Sequence, residues 1–425
     1  MNDTSADGEF SRTYVLPYLL GVYLAANAVK DVCVVVDGPD CIMQKADLIW
    51  GNHDLFSTLL SGEGRHRILC TMAHPVSSDR SPDTKITTLV GKVAASGQFG
   101  AVVLTALPFS RISGVDYAGI AAAASARTPV AYVPAKSLEL DWLDGYDETL
   151  AALARSLPAP RKAIKRRRAV VLAGYMLDRN EFDHSANLAE LRRLLAAAGL
   201  ETVSVWPSGG DCAELARAAQ AGLVVSLPHG RKTAKALSER FGAPLVETGL
   251  PLGLQGTLDW LRTITRAAGL RGELPVALRE EARRTAAVIA PALPALLHKN
   301  ILFTGDPGLY SALASFAEEL CMDASCALLN TRRRPVRTAG TPAVMLFGPE
   351  IPAARAAVQA LPAYQKPHLA VGDSFALSEG LNCGLPFMEF GFPSYAHHCL
   401  TDEPFLGFSG ARSLAARLLN CLHSG

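Results

Sequence analysis

Short runs of β-branched and small apolar residues recur along the chain, each followed by a longer Ala/Leu/Arg segment of helical period. That alternation limits the fold more than any other feature. Val32–Asp37, Gly100–Thr105, Pro129–Val133, Ala169–Ala173, Glu201–Trp206, Gly222–Ser226, Asn300–Thr304, Pro342–Phe347 and His368–Val371 are expected strands. Several lack the in/out alternation of a half-exposed strand. They therefore predict burial on both faces, as in a parallel sheet covered by helices. Ser185–Ala198, Cys212–Ala221 and Arg231–Phe241 place apolar residues three and four apart and predict covering helices. The expected fold class is α/β: three Rossmann-like domains with parallel sheets flanked by helices. The proline-bounded basic run Leu157–Arg168 and the segment Pro291–Lys299 mark boundaries, giving domains over 1–160, 161–295 and 296–425. The basic run, like Arg332–Arg334, reads as a solvated link rather than a phosphate site.

The chain has 425 residues, more than one hydrophobic core usually serves. An apolar fraction of 49% rules out a disordered or fibrous protein. Its 41 basic and 40 acidic side chains nearly cancel, so neither nucleic acid nor a membrane surface is an expected partner. Nine cysteines are too few for a disulfide scaffold. The polar start MNDTSADGEF is unlike a signal peptide, and no apolar run reaches membrane-spanning length. These features predict a reduced, soluble, cytoplasmic protein.

No glycine-rich loop ending in Gly-Lys-Ser/Thr occurs, and no GxGxxG, so the chain itself is not expected to bind ATP or NAD. The glycines at Gly174, Gly209–Gly210, Gly305 and Gly372 end strands, where ligands of open α/β sheets gather. Plain turn chemistry accounts for most of them. Cys321 and Cys326 read as two buried structural thiols, because no second pair completes a metal site. Cys33 lies within a strand and should pack in the core. Cys41 ends VVVDGPDC, a strand running into a Gly-Pro turn, which is where an iron–sulfur ligand would be presented. Cys70 ends another expected apolar strand, in RILCTMAHP, and could reach the same region. The stretch GLPFMEFGFPSYAHHCLTDEPFLGFSG cannot form a regular helix. Its adjacent His397 and His398 point in different directions and should not ligate one ion together.

Taken together, several segments resemble the component 1 superfamily of nitrogenase and nitrogenase-like reductases, most closely its beta-type subunits. YVLPYLLGVYLAANAVKDVCVVVDGPDC resembles the family's first helix, strand and Gly-Pro-x-Cys turn. LTALPFSRISGVDYAGI and TPVAYVPAKSLELDWLDGYDETLAAL match the next strand, turn and helix. AVVLAGYMLDRN through RFGAPLVETGLPLGLQGTLDWL matches the middle unit, and VGDSFALSEGLNCGLPFMEFGFPSYAHHC matches the end. On this resemblance Cys41 falls on the second of three cluster cysteines. The first would fall near Tyr14 or Val15 and the third at Ala106, while Cys70 is at no family ligand position. The pattern is similar to subunits that give one ligand to a 4Fe–4S cluster completed by a partner, as in chlorophyllide reductase. Ser226 falls where nitrogenase alpha subunits carry a cofactor-ligating cysteine, and His398 near their histidine ligand. Serine is a poor ligand for a soft metal, which argues against a nitrogenase-type cofactor bound in that way.

The resemblance implies a subunit of the catalytic component of a nitrogenase-like, ATP-dependent reductase. Electrons would pass from an ATP-driven iron–sulfur reductase protein, which alone uses ATP, through a 4Fe–4S cluster shared with a homologous subunit. Cys41 and Cys70 are the candidate metal ligands, Ser226 and His229 the candidate cofactor-binding residues, and His398, His397 and Asp373 the candidate catalytic groups. A further metal cofactor or a tetrapyrrole substrate remains open, as do dinitrogen and a thioether, although Ser226 speaks against dinitrogen. Two rivals stand beside this reading: a scaffold that holds an iron–sulfur precursor during cofactor assembly, and a metal-free binding paralogue.

Overall fold

The computed structural model describes residues 12–73, 82–160, 164–270, 272–336 and 341–423. The amino-terminal decapeptide and residues 161–163 of the basic link lie outside the described residues. Three all-parallel sheets organise the chain. The first contains β1 (Val32–Asp37), β2 (Ile68–Cys70), β3 (Ala101–Ala106) and β4 (Val130–Tyr132), in the order β2-β1-β3-β4. The second contains β5 (Arg166–Ala173), β6 (Glu201–Trp206), β7 (Ala221–Ser226) and β8 (Leu245–Glu247), ordered β6-β5-β7-β8. The third contains β9 (Asn300–Gly305), β10 (Asp323–Leu329), β11 (Val344–Phe347), β12 (Leu369–Gly372) and β13 (Phe387–Glu389), ordered β11-β10-β9-β12-β13. Each sheet starts at an inner strand, grows to one side and then returns to grow on the other. Each therefore has a switch point at its carboxyl end: β1/β3, β5/β7 and β9/β12. β1, β3 and β9 are buried along their whole length, as their unbroken apolar runs require.

The residues divide into two compact units. One holds Pro17–Thr248 and Arg262–Glu273, with the first two sheets; the other holds Met1–Leu16, Gly249–Leu261 and Leu274–Gly425, with the third. In the first unit the fully buried helix Tyr18–Asn27 crosses the helix Trp142–Ser156. Gly21 and Gly145 set that crossing. A Cβ on Gly21 would stand 1.7 Å from the Trp142 carbonyl oxygen, and one on Gly145 would stand 2.1 Å from that of Tyr18. Arg67 closes the other end of the helix: its Nη1 donates to the Ala26, Val29 and Val32 carbonyls at 2.8, 3.1 and 2.7 Å. This is a side-chain answer to the orphan carbonyls that every helix end leaves. The helix Arg231–Phe241 has no cap of its own, and Asp147 of the neighbouring helix accepts its Lys232 and Thr233 amides, both at 2.9 Å.

Three strands go beyond the sequence expectation, namely β8, β10 and β13. β10 is hidden in EELCMDASCAL, which reads as a helix end; the helix stops at Glu319, and Cys321 turns the chain at φ 59° into the strand. Cys321 is therefore exposed, which corrects the expectation of two buried thiols; Cys326 is buried in β10. Cys212–Ala221 is helical only to Ala216, continues as a 3-10 turn over Arg217–Gln220, and Ala221 already opens β7.

Gly21→Ala forces two backbones apart, and overpacking of this kind costs about 1–3 kcal/mol or more. Urea unfolding should show a clear drop in midpoint, and an unchanged midpoint would mean the helices do not meet through Gly21.

Candidate functional site at the strand ends

Asp37, the last residue of β1, pairs with Ala106 at the end of β3, and Val36 pairs with Cys70 at the end of β2. Asp37 is only 5% exposed. An unpaired carboxylate there would be costly, so its oxygens must be hydrogen-bonded. They accept the Thr71 hydroxyl at 2.5 Å and the Tyr117 hydroxyl at 2.6 Å, while its carbonyl accepts the Ser110 hydroxyl at 3.1 Å. Thr71 Oγ1 in turn accepts the Gly38 amide at 3.1 Å. One side chain thus joins the turns that follow β1, β2 and β3. Burial, followed by the Asp37 bond and charge, raises the Tyr117 pKa and keeps the phenol a donor.

Cys41 stands on the 3-10 turn Asp40–Ile42 just past β1, next to the first switch point, and it is exposed. Cys70 is half-buried at the end of β2, with its Sγ 3.3 Å from Met72 Sδ. Met72 is exposed and held at φ 57°, a region few side chains occupy. On the helix Tyr18–Asn27, Tyr23 is fully buried, and its hydroxyl has no hydrogen-bond partner among the described residues. Burial raises its pKa well above the usual phenol range, and the nearby Cys70 and then Cys41 raise it further. Cys33 packs in the core of the same sheet, its thiol pushed up to about 12 by burial, and Arg67 only partly offsets this.

Ser226 ends β7 at the second switch point and is fully buried. Its carbonyl accepts the Thr248 amide at 2.9 Å and the Arg231 guanidinium at 2.7 Å. His229 is buried in the 3-10 turn Pro228–Gly230. Gly174, at φ 85°, and Gly230 touch across this switch point: a Cβ on Gly174 would stand 2.2 Å from the Gly230 nitrogen. The two loops therefore close on each other by backbone contact.

In the other unit, Asp373 follows β12 at the third switch point and is fully buried. It caps the helix Ser374–Ser378 by accepting the Ala376 amide at 2.8 Å, and also accepts from Asn330 at 3.0 Å and from the Tyr14 hydroxyl. Burial pushes its carboxyl up to about 7 against those bonds. The Ser374 hydroxyl accepts the Tyr395 amide at 2.7 Å, and Glu389 accepts the Tyr395 and Ala396 amides at 2.9 and 3.1 Å. Ser374 and Glu389 thereby hold the loop that carries His397 and His398. His397 is exposed, and His398 is half-buried.

The sequence reading did not find a buried polar cluster at the end of β5. Asp178 lies between two histidines, 3.2 Å from His53 Nε2 and 3.0 Å from His184 Nε2. Tyr175 Oη meets His184 Nδ1 at 2.9 Å, and Arg179 pairs with Asp183 at 2.6 Å. Burial would raise the Asp178 pKa, but His184 and His53 outweigh it and hold the carboxyl well below its usual range. Burial likewise opposes protonation of His184, yet Asp178 and Asp183 raise its pKa. Among the described residues no three His, Cys, Asp or Glu side chains are grouped so as to hold a metal ion. No described helix is long and apolar enough to cross a membrane.

Residues 18–423 match the family model of nitrogenase component 1 type oxidoreductases, and the chain belongs to that family. It is 27% identical over 421 residues to the B subunit of the light-independent protochlorophyllide reductase of Bradyrhizobium sp. strain ORS 278, covering 95% of this chain and 78% of that one. It is 24% identical to the nitrogenase molybdenum-iron protein beta chain of Bradyrhizobium sp. strain ANU 289, covering 69% and 61% of the two chains. A 36% identical match to the corresponding reductase polypeptide of Chlorobium luteolum spans only 23% of this chain and 20% of that relative. The fold is that of a solved structure titled nitrogenase Cp1 at pH 6.5, with TM-score 0.80, 16% identity and coverage of 100% and 95%.

His184 has a raised folded pKa, so its stabilisation is complete below about pH 6.5 and is lost as pH rises through that folded value. Asp178 has a lowered folded pKa, so its stabilisation is complete above about pH 4 and is lost as pH falls through that value. The window of full effect is therefore roughly pH 4 to 6.5. His184→Gln should cost about 3–5 kcal/mol there, as breaking a buried pair does, and less at pH 9. Urea titrations of both proteins across pH measure this. A gap that widens with alkaline pH would contradict it.

Proposed function

We propose that this chain is a subunit of the catalytic component of a nitrogenase-like, ATP-dependent reductase. It would relay electrons through a 4Fe–4S cluster shared with a homologous second subunit to a substrate site. The observation that carries this reading is Cys41, an exposed thiol beside the switch point of the first sheet, with Cys70 at the end of the neighbouring strand β2. Two soft sulfur donors fit part of a cluster site. The donor set stops short of a complete one, which favours completion by a partner. The names of the relatives point the same way: the B and N subunits of a reductase, and the beta chain of a molybdenum-iron protein.

A bound 4Fe–4S cluster supplies one-electron transfer. This chain's residues do the rest. Cys41, with Cys70 beside it, would hold the group, and the Asp37 bonds to Thr71 and Tyr117 fix the turns that bear them. The apolar side chains of β1 and β3 beneath these turns keep water from the buried side. In this reading His397, His398 and Asp373 are the groups that carry protons, and Ser226 and His229 serve a substrate or second cofactor. ATP belongs to the separate iron–sulfur reductase.

Anaerobic purification with the homologous partner should yield a brown complex containing iron and acid-labile sulfide. Cys41→Ala should lose most of that iron, and unchanged iron content would remove Cys41 from the site. Repeated turnover of a small substrate with the ATP-driven reductase marks an enzyme. Release of a cluster without turnover would mark the scaffold instead.

A further inference from the structure

Residues 12–16 meet the turns that follow β10, β11 and β12. The Tyr14 amide donates to the Pro349 carbonyl at 2.8 Å, the Arg12 carbonyl accepts the Ile351 amide at 3.1 Å, and the Leu16 amide donates to the Asn330 carbonyl at 3.4 Å. Thr13 and Glu350 form an isolated bridge outside the named strands. At the centre of this segment Tyr14 is fully buried. Its ring lies parallel to that of Phe375, with 4° between the planes and 5.9 Å between centroids, and its hydroxyl donates to Asp373. Asp373 stands at the β9/β12 switch point, where ligands of open α/β sheets bind. A side chain of the protein therefore occupies the place where this architecture seats a ligand. Gly348 makes room for the segment, because a Cβ there would stand 2.5 Å from Val15 Cγ2.

The walls around Tyr14 define what fits there. Phe375 offers a flat apolar face, and Asp373 offers a carboxylate oxygen as acceptor. Buried Asn330 holds that same oxygen at 3.0 Å and the Ala376 amide holds the other at 2.8 Å, so the carboxylate keeps its place without Tyr14. Taking the phenol away leaves a ring-shaped gap and a buried acceptor short of a donor; an aromatic ring that carries a donor replaces both. The segment is held by the backbone bonds of an isolated bridge and by exposed Arg12, which pairs with Glu379 at 3.0 Å. Surface pairs of this kind add little, and segments so held open locally while the sheet stays folded. We propose that residues 12–16 are a strap closing a binding crevice at the third switch point, and that the crevice takes a planar aromatic ring bearing a hydroxyl, whose place Tyr14 fills. In the proposed function Asp373 carries protons; it then meets a substrate only while the strap is lifted, which makes Tyr14 an autoinhibitory contact. The crevice itself owes nothing to a cluster at Cys41 and is read without iron.

The test adds p-cresol, which is the tyrosine side chain without its backbone, to the full chain, with toluene as the ring that lacks the hydroxyl. Tyr14→Ala should melt several degrees higher as p-cresol is added and respond little to toluene. Wild type should bind p-cresol more than about tenfold more weakly, because the ligand must first displace Tyr14. A wild type stabilised as much as the variant would mean that the crevice is not closed. A variant indifferent to p-cresol, or equally responsive to toluene, would mean that no such site exists. Hydrogen exchange on wild type decides the matter if Tyr14→Ala does not fold. Peptides covering residues 12–16 should then exchange well before those covering β9. Equal protection of the two would overturn the strap, since the segment would open only together with the sheet.

Discussion

A single buried carboxylate holds together the turns on which the proposed chemistry depends. Asp37 ends a strand buried on both faces, and its charge cannot stay there without donors. Thr71 and Tyr117 supply them from two different connections, and Ser110, in the same connection as Tyr117, fastens to the Asp37 carbonyl. A parallel sheet brings its strand ends to one side but does not by itself order the loops beyond them. Here that ordering comes from hydrogen bonds to one acidic side chain. Removing the carboxylate would leave buried hydroxyls without partners as well as loosening the turns that bear Cys41 and Cys70.

The other charged side chains in the first unit follow the same logic at a larger scale. Arg67 is spent on three carbonyls where the first helix ends and β1 begins, and burial lowers its pKa to about 10, with Cys33 and Asp31 resisting. Asp147 caps a helix that lacks a cap of its own. Asp178, His53, His184, Arg179 and Asp183 form a paired set in which each carboxylate meets a histidine or an arginine. Such sets add little net stability compared with apolar packing, but losing one member leaves an uncompensated charge. Their effect is to make the loop after β5 adopt one arrangement. In the second unit Ser374 and Glu389 do the same for the loop bearing the paired histidines.

Most of the architecture was legible in the sequence because buried parallel strands leave continuous apolar runs. Val32–Asp37, Glu201–Trp206 and Arg231–Phe241 appear with the expected bounds. β8 and β13 are three residues long, too short to carry a period, and β10 was masked by the helix that leads into it. Cys41 was visible because a Gly-Pro turn after an apolar strand is a local pattern. Tyr23 was not. In YLLGVYLAAN it is one more apolar residue of a helix buried all round, and only three-dimensional placement shows that its hydroxyl lacks a partner among the described residues. The Asp178 cluster was hidden for a related reason, since His53 and Asp178 are 125 residues apart in sequence.

The central claim is that Cys41 binds iron at a site completed by another subunit. Anomalous diffraction at the iron edge from crystals of the anaerobically purified complex tests it most directly. The account predicts an iron peak bonded to Cys41 Sγ, with further ligands from the partner chain. A crystal whose Cys41 has no iron beside it, or whose iron lies wholly within one subunit away from this turn, would contradict the account.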